Sequence, residues 1–197
     1  MLYQIHELNR SFLTPLTNWA EATSKLFANP VSPLAYSPFS QRIAAAYELL
    51  YRLGKDYEKP AFDIQFVKVK DKTVEIIEEV SLAKPFCNLI HFKKVDAAKK
   101  SKNETEKRIL IVAPLSGHHA TLLRDTVKSL LPTHDVYITD WRDARMVPLS
   151  EGPFHLHDYI FYVQEFIRHL APNLHVISVC QSTVPVLAAI SLMATEN

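Results

Sequence analysis

The chain opens with apolar residues that recur every three or four positions, which is the spacing of an amphipathic helix. This stripe runs from Leu2 to Leu26, and Pro15 inside it is expected to kink the helix. A proline-rich stretch ends the stripe, and the Ser-Pro pair at residues 37–38 predicts the cap and first turn of a second helix that stops at Gly54. The pattern therefore predicts a helical extension over residues 1–58.

The hydrophobic period then falls to two, which is the alternation of a half-buried strand. Alternation covers residues 62–66 and 74–80, and a third short apolar segment covers residues 86–92. Short strands in series predict an antiparallel meander. The next stretch, residues 93–108, is charged and poor in apolar side chains, so it is predicted to be an exposed loop.

Strands and helices alternate from residue 109 onward. The continuous apolar run at residues 109–113 is typical of a strand buried on both faces. A parallel sheet with helices on both of its faces is the usual outcome of such alternation. The fold class predicted for residues 59–197 is therefore α/β. After the first strand, the predicted elements are a helix at 123–131, a strand at 136–139, a helix at 159–170, a buried strand at 174–179 and a helix at 182–195.

The last predicted strand leads directly into Cys180, and a helix follows at once. A nucleophile on a tight turn between a strand and a helix forms a nucleophile elbow, whose usual pattern is G-x-S-x-G. Here cysteine replaces the serine, and Ser178 and Ser182 replace the glycines, which fit a crowded turn more easily. The amino terminus of a helix favours a thiolate. We predict that Cys180 is a catalytic nucleophile; the alternative is a buried structural cysteine.

The loop at residues 114–119 follows the first buried strand and supplies candidates for an oxyanion hole. In a hydrolase with a nucleophile elbow, one backbone N–H comes from the residue after the nucleophile and another from an earlier loop. Gln181 and the segment Ser116, Gly117 and His118 occupy those places. Gly117 is one of only three glycines in the chain, at a position where backbone must approach substrate closely. The alternative is an ordinary turn between a strand and a helix.

Composition excludes several other classes of function. A net charge of +1 gives no field that would collect nucleic acid, and no glycine-rich phosphate-binding motif occurs. The sequence predicts neither a secretory signal nor a transmembrane segment. The histidines near residues 118 and 155 lack the spacing of a helical zinc pair, so we expect no metal and no other cofactor. Residues 140–143 are expected to line the site or, more simply, to cap and salt-bridge a loop.

Seven segments of the chain match a known family, namely residues 1–4, 20–23, 113–118, 122–127, 139–145, 158–160 and 178–185. Together they resemble the intracellular polyhydroxybutyrate depolymerases, which use cysteine where lipases use serine. The resemblance implies an α/β-hydrolase fold and a cytoplasmic enzyme that associates with polymer granules. It also implies that Cys180 attacks the ester bonds of poly(3-hydroxybutyrate), releasing 3-hydroxybutyrate monomers and oligomers, with a histidine as base and an aspartate that orients it.

The chain departs from that family after the nucleophile. In this fold the aspartate and the histidine follow the nucleophile in the chain, but the seventeen residues after Cys180 contain neither. We therefore expect residues 59–197 to be the amino-terminal portion of a hydrolase domain, without its later strands, lid and triad partners. Alone, such a chain is expected to be inactive and to aggregate or to need a partner, either the carboxyl-terminal half or a second copy.

Other functions are compatible with the same residues. A polyhydroxyalkanoate synthase also uses a cysteine elbow, but it makes the polymer from hydroxyacyl-coenzyme A and usually keeps the flanking glycines. An esterase for small substrates also fits the elbow. A non-catalytic granule-binding protein could use the Leu2–Leu26 helix as a surface anchor, and then replacing Cys180 would leave binding intact.

Overall fold

The computed structural model describes residues 2–54, 59–95, 107–116 and 119–196. The chain divides into two compact units, Met1–Glu58 and Lys59–Asn197. None of the helices within the described ranges is both long enough and apolar enough to cross a membrane.

The first unit is a pair of helices joined by a short 3-10 turn. Helix α1 (Leu2–Ala28) continues through Pro15, and helix α2 (Ser40–Gly54) follows the turn at Pro33–Tyr36. The predicted start of α2 at residues 37–38 is wrong, because Phe39 has a φ of 67°, outside the right-handed helical region. The two helices pack through polar and aromatic contacts: the Ser24 hydroxyl donates to the Ala44 carbonyl at 3.0 Å, and the rings of Trp19 and Tyr47 meet edge to face at 5.3 Å.

The second unit is built on a six-stranded mixed sheet in the order β1-β2-β3-β5-β4-β6. The predicted meander is confirmed, because β1, β2 and β3 pair antiparallel. Strand β3 also pairs antiparallel with β5, whereas β4 lies parallel to both β5 and β6. The strands are β1 (Phe66–Val69), β2 (Lys72–Ala83), β3 (Cys87–Lys94), β4 (Arg108–Val112), β5 (Asp135–Trp141) and β6 (Leu174–Ser178).

Helices cover both faces of this sheet, as the alternation predicted. Helix α3 (Arg124–Leu130) packs on one face, while α4 (Leu156–Leu170) and α5 (Thr183–Thr195) pack on the other. Strand β4 contributes to both layers, because Ile109 and Ile111 face α3 whereas Leu110 and Val112 face α4 and α5. The unit therefore has a mixed α/β architecture with a core on each side of the sheet.

The strand predicted at residues 62–66 is absent, and β1 begins only at Phe66. The alternation of apolar and polar residues in this segment nevertheless indicated which side chains are buried, because Phe62 and Ile64 are both 3% exposed and lie in the core. Between them Asp63 has a φ of 51°, which an extended strand does not allow. The segment is irregular chain that inserts two apolar side chains, one of which, Phe62, meets Phe92 edge to face at 5.1 Å.

The expectation that the last strand is fully buried is also wrong. Strand β6 lies at the end of the sheet order, and none of its residues is fully buried. Helix α5 leaves Val184, Leu187 and Leu192 more than half exposed on its other side. The loop predicted at residues 93–108 is shorter at both ends, since β3 continues through Lys94 and β4 begins at Arg108; residues 96–106 lie outside the described ranges.

Candidate active site

A tight turn carries Cys180 from the end of β6 to the start of α5. Val179 is still extended, with φ −119° and ψ 122°, but Cys180 has a φ of 56°. The left-handed region costs a residue with a β-carbon about 1–2 kcal/mol. The chain therefore has unfavourable backbone geometry at the residue that the motif predicts as the nucleophile.

The two cysteines have opposite environments. Cys180 is exposed, whereas Cys87 on β3 is buried. Burial, with the nearby Asp140 carboxylate, raises the pKa of the Cys87 thiol well above its usual value, so this thiol stays protonated. The alternative of a buried structural cysteine therefore describes Cys87 and does not describe Cys180.

Ser182 is built into the turn through its hydroxyl group. The side chain is fully buried, and its Oγ lies 2.7 Å from the Val112 carbonyl and 2.8 Å from the backbone N–H of Val179, which donates to it. The Val179 N–H also lies 3.2 Å from the Val112 carbonyl. A serine at this position therefore has a structural role that glycine could not fill, because its hydroxyl hydrogen-bonds the turn to the end of β4.

Two of the predicted oxyanion-hole residues lie side by side. The Ser116 hydroxyl donates to the side-chain carbonyl of Gln181 at 3.3 Å, which links the loop after β4 to the residue after Cys180. Among the described residues, no acceptor is bonded to the backbone N–H of Gln181. Gly117 and His118, the other two candidates, lie outside the described residues.

A cavity of about 400 Å³ opens beside the turn. Its polar lining comes from Gln181 and His155. Its apolar walls come from three elements around the elbow, so the cavity suits a small, mainly apolar group with one or two polar atoms. These walls are formed by Leu115, Phe154, Leu156, Tyr159, Val184 and Pro185.

Acid–base partners for Cys180 are missing from the described part of the chain. No described side chain is hydrogen-bonded to its sulfur. His155 reaches the cavity, but it precedes α4 and its backbone N–H donates to the Asp158 carboxylate at 2.7 Å. Within the described ranges, no three His, Cys, Asp or Glu side chains come close enough together to hold a metal ion.

Residues 140–143 take the capping and ion-pairing role that the sequence suggested, and none of them lines the cavity. The Asp140 carboxylate is ion-paired with Lys59, and Asp143 accepts from the backbone N–H of Arg145 at 3.0 Å. The Arg145 guanidinium also holds the pKa of Asp143 below its usual value. Trp141 instead points toward the loop after β4, where its indole N–H donates to the Ala113 carbonyl at 2.9 Å.

The cavity and the contact of Trp141 with the loop were not found from the sequence. Their residues lie in four separate segments, and only the folded sheet brings those segments together. The sequence offered one indirect signal for Trp141, which was its position just after the strand predicted at residues 136–139. In a parallel sheet the carboxyl end of that strand lies beside the carboxyl end of β4.

Comparison with known proteins adds no relative, because no protein-family model, no curated protein and no solved structure matches this chain.

Proposed function

We propose that Cys180 is the nucleophile of an ester hydrolase with an α/β-hydrolase fold, acting on poly(3-hydroxybutyrate). The observation that carries the proposal is the left-handed backbone of Cys180, at the turn between β6 and α5. Strained residues cluster at functional sites because the surrounding structure must hold them there against their preference. An exposed thiol held in this way is presented to a ligand.

The position of the turn in the sheet supports the same proposal. In open parallel sheets, ligands bind beyond the carboxyl ends of the strands. The elbow follows the carboxyl end of β6, the oxyanion loop follows that of the adjacent parallel strand β4, and Ser116 and Gln181 meet between them. This arrangement supports the proposal, because Cys180 and the backbone N–H of Gln181 follow a strand end at the edge of the sheet where ligands bind.

The chemistry that we propose is acyl transfer through a thioester. The thiolate of Cys180 attacks the ester carbonyl carbon, a C–S bond forms, and the carbonyl oxygen becomes an oxyanion that the N–H of Gln181 can bind. Collapse of this intermediate breaks the ester C–O bond, and the departing alkoxide takes a proton to become the terminal hydroxyl of the shortened polymer. Water then cleaves the thioester to a free hydroxybutyrate acid and restores the thiol.

The cavity is consistent with the acyl group of this substrate. Its apolar walls suit the methyl and methylene groups of a 3-hydroxybutyryl unit, and His155 and Gln181 offer polar partners for the hydroxyl or ester oxygen. The choice of this polyester among possible esters comes from the resemblance of the elbow and the loop segments to the depolymerases.

Residues 1–197 tested by themselves hold no aspartate or histidine after Cys180, so we expect this polypeptide to capture one acyl group without efficient turnover. Activated esters need less help from a base, because p-nitrophenolate is a good leaving group. Release of p-nitrophenolate should therefore occur as a burst of one equivalent for p-nitrophenyl 3-hydroxybutyrate. The palmitoyl ester should react more slowly, because a sixteen-carbon chain exceeds a cavity of about 400 Å³.

Cys180→Ala should abolish this burst, and Cys87→Ala should keep it, because Cys87 is buried and stays protonated. A burst of equal size in the Cys180→Ala variant would refute the proposed role of Cys180. A burst with equal rates for the short and long acyl groups would leave the nucleophile in place and refute the proposed acyl pocket.

A second candidate function, adhesion to the polymer surface, is favoured by an uncharged stretch in the first unit. Residues 26–41 contain no charged side chain, and Val31, Tyr36 and Phe39 are 86%, 80% and 68% exposed. The guanidinium carbon of Arg42 lies 5.6 Å from the centre of the Phe39 ring. Exposed aromatic side chains beside a cation are suited to an apolar surface with anionic groups at its boundary.

Sedimentation with amorphous polyhydroxybutyrate granules separates the two functions. Cys180→Ala should bind granules as the native chain does. Replacing Val31, Tyr36 and Phe39 together with serine should weaken binding at least about tenfold, because three large apolar contacts are lost. Leu149→Ser is the matched control, since Leu149 is 98% exposed in the other unit. Equal binding of the triple variant and the control would exclude this surface.

A further inference from the structure

The peptide group at Ala113 is held from both sides at the point where β4 gives way to the oxyanion loop. Ala113 is fully buried, and its N–H donates to the Thr139 hydroxyl at 2.9 Å. Its carbonyl accepts two bonds, from the indole N–H of Trp141 at 2.9 Å and from the hydroxyl of Tyr159 at 3.3 Å. A carbonyl oxygen has two lone pairs, so two donors fix its orientation.

These contacts begin where the sheet ladder stops. The last paired residue of β4 is Val112, opposite Ser178, so Ala113 is the first residue without a strand partner. Side chains from β5 and α4 replace the missing ladder bonds at that residue. The direction of the chain as it leaves the sheet is therefore set by Thr139, Trp141 and Tyr159.

Only a few residues separate Ala113 from the candidate site, so the direction of the chain at Ala113 affects where those residues lie. Pro114 follows Ala113, and its ring restricts φ to near −65°, so little freedom remains before the next residues. Leu115 lines the cavity, and Ser116 donates to the side chain of Gln181. A rotation of the Ala113 peptide would therefore move both the cavity wall and the loop beside Cys180.

Trp141 and Tyr159 also brace each other and the cavity. Their rings meet edge to face with centres 4.4 Å apart, and Tyr159 forms part of the cavity wall. Tyr159 is 3% exposed, and burial raises the pKa of its hydroxyl, so the group stays a hydrogen-bond donor at every ordinary pH.

We propose that Trp141 and Tyr159 are positioning residues that set the direction of residues 114–116, the start of the loop after β4, by holding the Ala113 carbonyl. This inference rests on the proposed function, because it assumes that the loop after β4 helps to bind the oxyanion formed at Cys180. Neither Trp141 nor Tyr159 attacks the ester, but both side chains would affect the rate of acyl transfer.

The test compares two reactions of the same thiol in the full chain. Acylation of Cys180 by p-nitrophenyl butyrate forms a C–S bond, releases p-nitrophenolate and passes through an oxyanion. Alkylation by iodoacetamide also forms a C–S bond and releases iodide, but displacement at a saturated carbon builds no oxyanion. A misaimed loop should therefore slow the first reaction and leave the second unchanged.

Tyr159→Phe and Trp141→Phe each remove one donor and keep an aromatic ring. Each should slow acylation about tenfold, less than the hundredfold or more that is lost when an oxyanion donor is removed outright. Tyr162→Phe is the matched control, because this tyrosine lies one turn along the same helix and its hydroxyl bonds to the backbone of Phe86, away from the loop. The control should acylate and alkylate at the native rates.

Each outcome decides a different point. If Tyr159→Phe and Trp141→Phe acylate as fast as the native chain, the positioning role is refuted and the proposed function stands. Equal slowing of acylation and alkylation, or equal slowing in Tyr162→Phe, would also refute it, because general loosening would then explain the loss. If native Cys180 alkylates but is never acylated, the proposed function fails, and the positioning role fails with it.

Discussion

Cys180 occupies a backbone conformation that its side chain disfavours, and its neighbours hold it there. Val179 before it and Ser182 after it are both hydrogen-bonded to the carboxyl end of β4, so the turn cannot relax by itself. Strain of this kind is the expected cost of presenting a thiol above the end of a sheet. The sequence indicated the turn, but the sign of φ at Cys180 is visible only in the structure.

Replacement of Cys180 with glycine should give a more stable protein than replacement with alanine. Both variants lack the thiol, but only alanine keeps a β-carbon in the left-handed region. Relief of the strain favours glycine, and the extra backbone entropy that glycine loses on folding partly cancels this gain. We expect the free energy of unfolding of the glycine variant to be larger by about 1 kcal/mol. Urea denaturation of the two variants measures this difference. Equal stabilities would mean that the backbone at this position is not strained.

His91 lies between two carboxylates on the face of a stacked tyrosine. Its Nε2 is 2.7 Å from Asp135, its Nδ1 is 3.0 Å from Glu79, and its ring stacks on Tyr137 at 4.2 Å. Lys93 also pairs with Glu79 at 3.3 Å. Burial lowers the pKa of His91, but hydrogen bonds to Asp135 and Glu79 outweigh it and raise the pKa above 6.5. When it is protonated, the ring can donate to both carboxylates and so links strands β2, β3 and β5.

Protonation of His91 should make stability depend on pH. Because the folded pKa is raised, the contribution of His91 is full below pH 6.5 and is lost as the pH rises through the folded value. Burial raises the pKa of Asp135, but the hydrogen bonds from His91 and Tyr137 and the charges of His91 and Lys94 together outweigh burial and bring the pKa below 3.8. The contribution of Asp135 is therefore lost only in stronger acid.

The free energy of unfolding should therefore fall as the pH rises from 6.5 toward 8, and His91→Gln should flatten this slope. Urea titrations across that range measure the effect, with His175→Gln, an exposed histidine on β6, as the control. A slope that survives in His91→Gln, or one that disappears in His175→Gln, would assign the pH dependence to another group.

The turn between β6 and α5 is fastened to β4 mainly through one hydroxyl group. Ser182→Ala removes one of the two acceptors of the Val179 N–H and the hydroxyl that donates to the Val112 carbonyl. Leaving buried polar groups with fewer partners should cost about 1–3 kcal/mol of unfolding free energy. Thermal or urea unfolding measures the loss.

Ser191→Ala tests whether that loss belongs to the turn. Ser191 lies on helix α5, which follows the turn; it is exposed, and its hydroxyl donates to the Leu187 carbonyl at 2.8 Å. Its replacement should change stability by less than about 0.5 kcal/mol, as is usual on a surface. A loss in Ser182→Ala no larger than in Ser191→Ala would contradict the proposed fastening.

Most elements could be predicted from periodicity, and the failures have specific physical causes. Phe62 and Ile64 alternate with polar neighbours, but Asp63 takes a positive φ between them, so burial occurs without a strand. The apolar run of β6 predicted burial on both faces, but burial depends on neighbours, and this strand is at the sheet edge. The local sequence pattern indicates which side chains avoid water, but it does not indicate which strands or helices lie beside them.

The candidate site was only partly visible from the sequence for a related reason. Cys180, Ser116 and Gln181 could be found because a strand followed at once by a helix fixes where a nucleophile and its loop must lie. The contacts of Trp141 and Tyr159 with Ala113 could not, since they join segments 28 and 46 residues apart. Nothing local in the sequence reports a distance of that kind.

The second unit as a whole combines an antiparallel meander with three parallel strands, and the elbow stands at the end of the outermost strand, β6. The chemistry expected of this arrangement is attack by one exposed thiol beside an apolar cavity of about 400 Å³. Residues 1–197 tested by themselves hold no triad partner after Cys180, so an acyl group captured by this polypeptide should stay attached long enough to be found.

The most direct test of the account is mass spectrometry of the native chain after brief exposure to p-nitrophenyl 3-hydroxybutyrate, followed by peptide mapping. The account predicts one 3-hydroxybutyryl group, attached through a thioester that hydroxylamine removes, on the peptide that contains Cys180. The Cys180→Ala variant should carry none, and the Cys87→Ala variant should carry one. An unmodified Cys180, or an acyl group on Cys87 or on a lysine instead, would contradict the claim that Cys180 is the nucleophile.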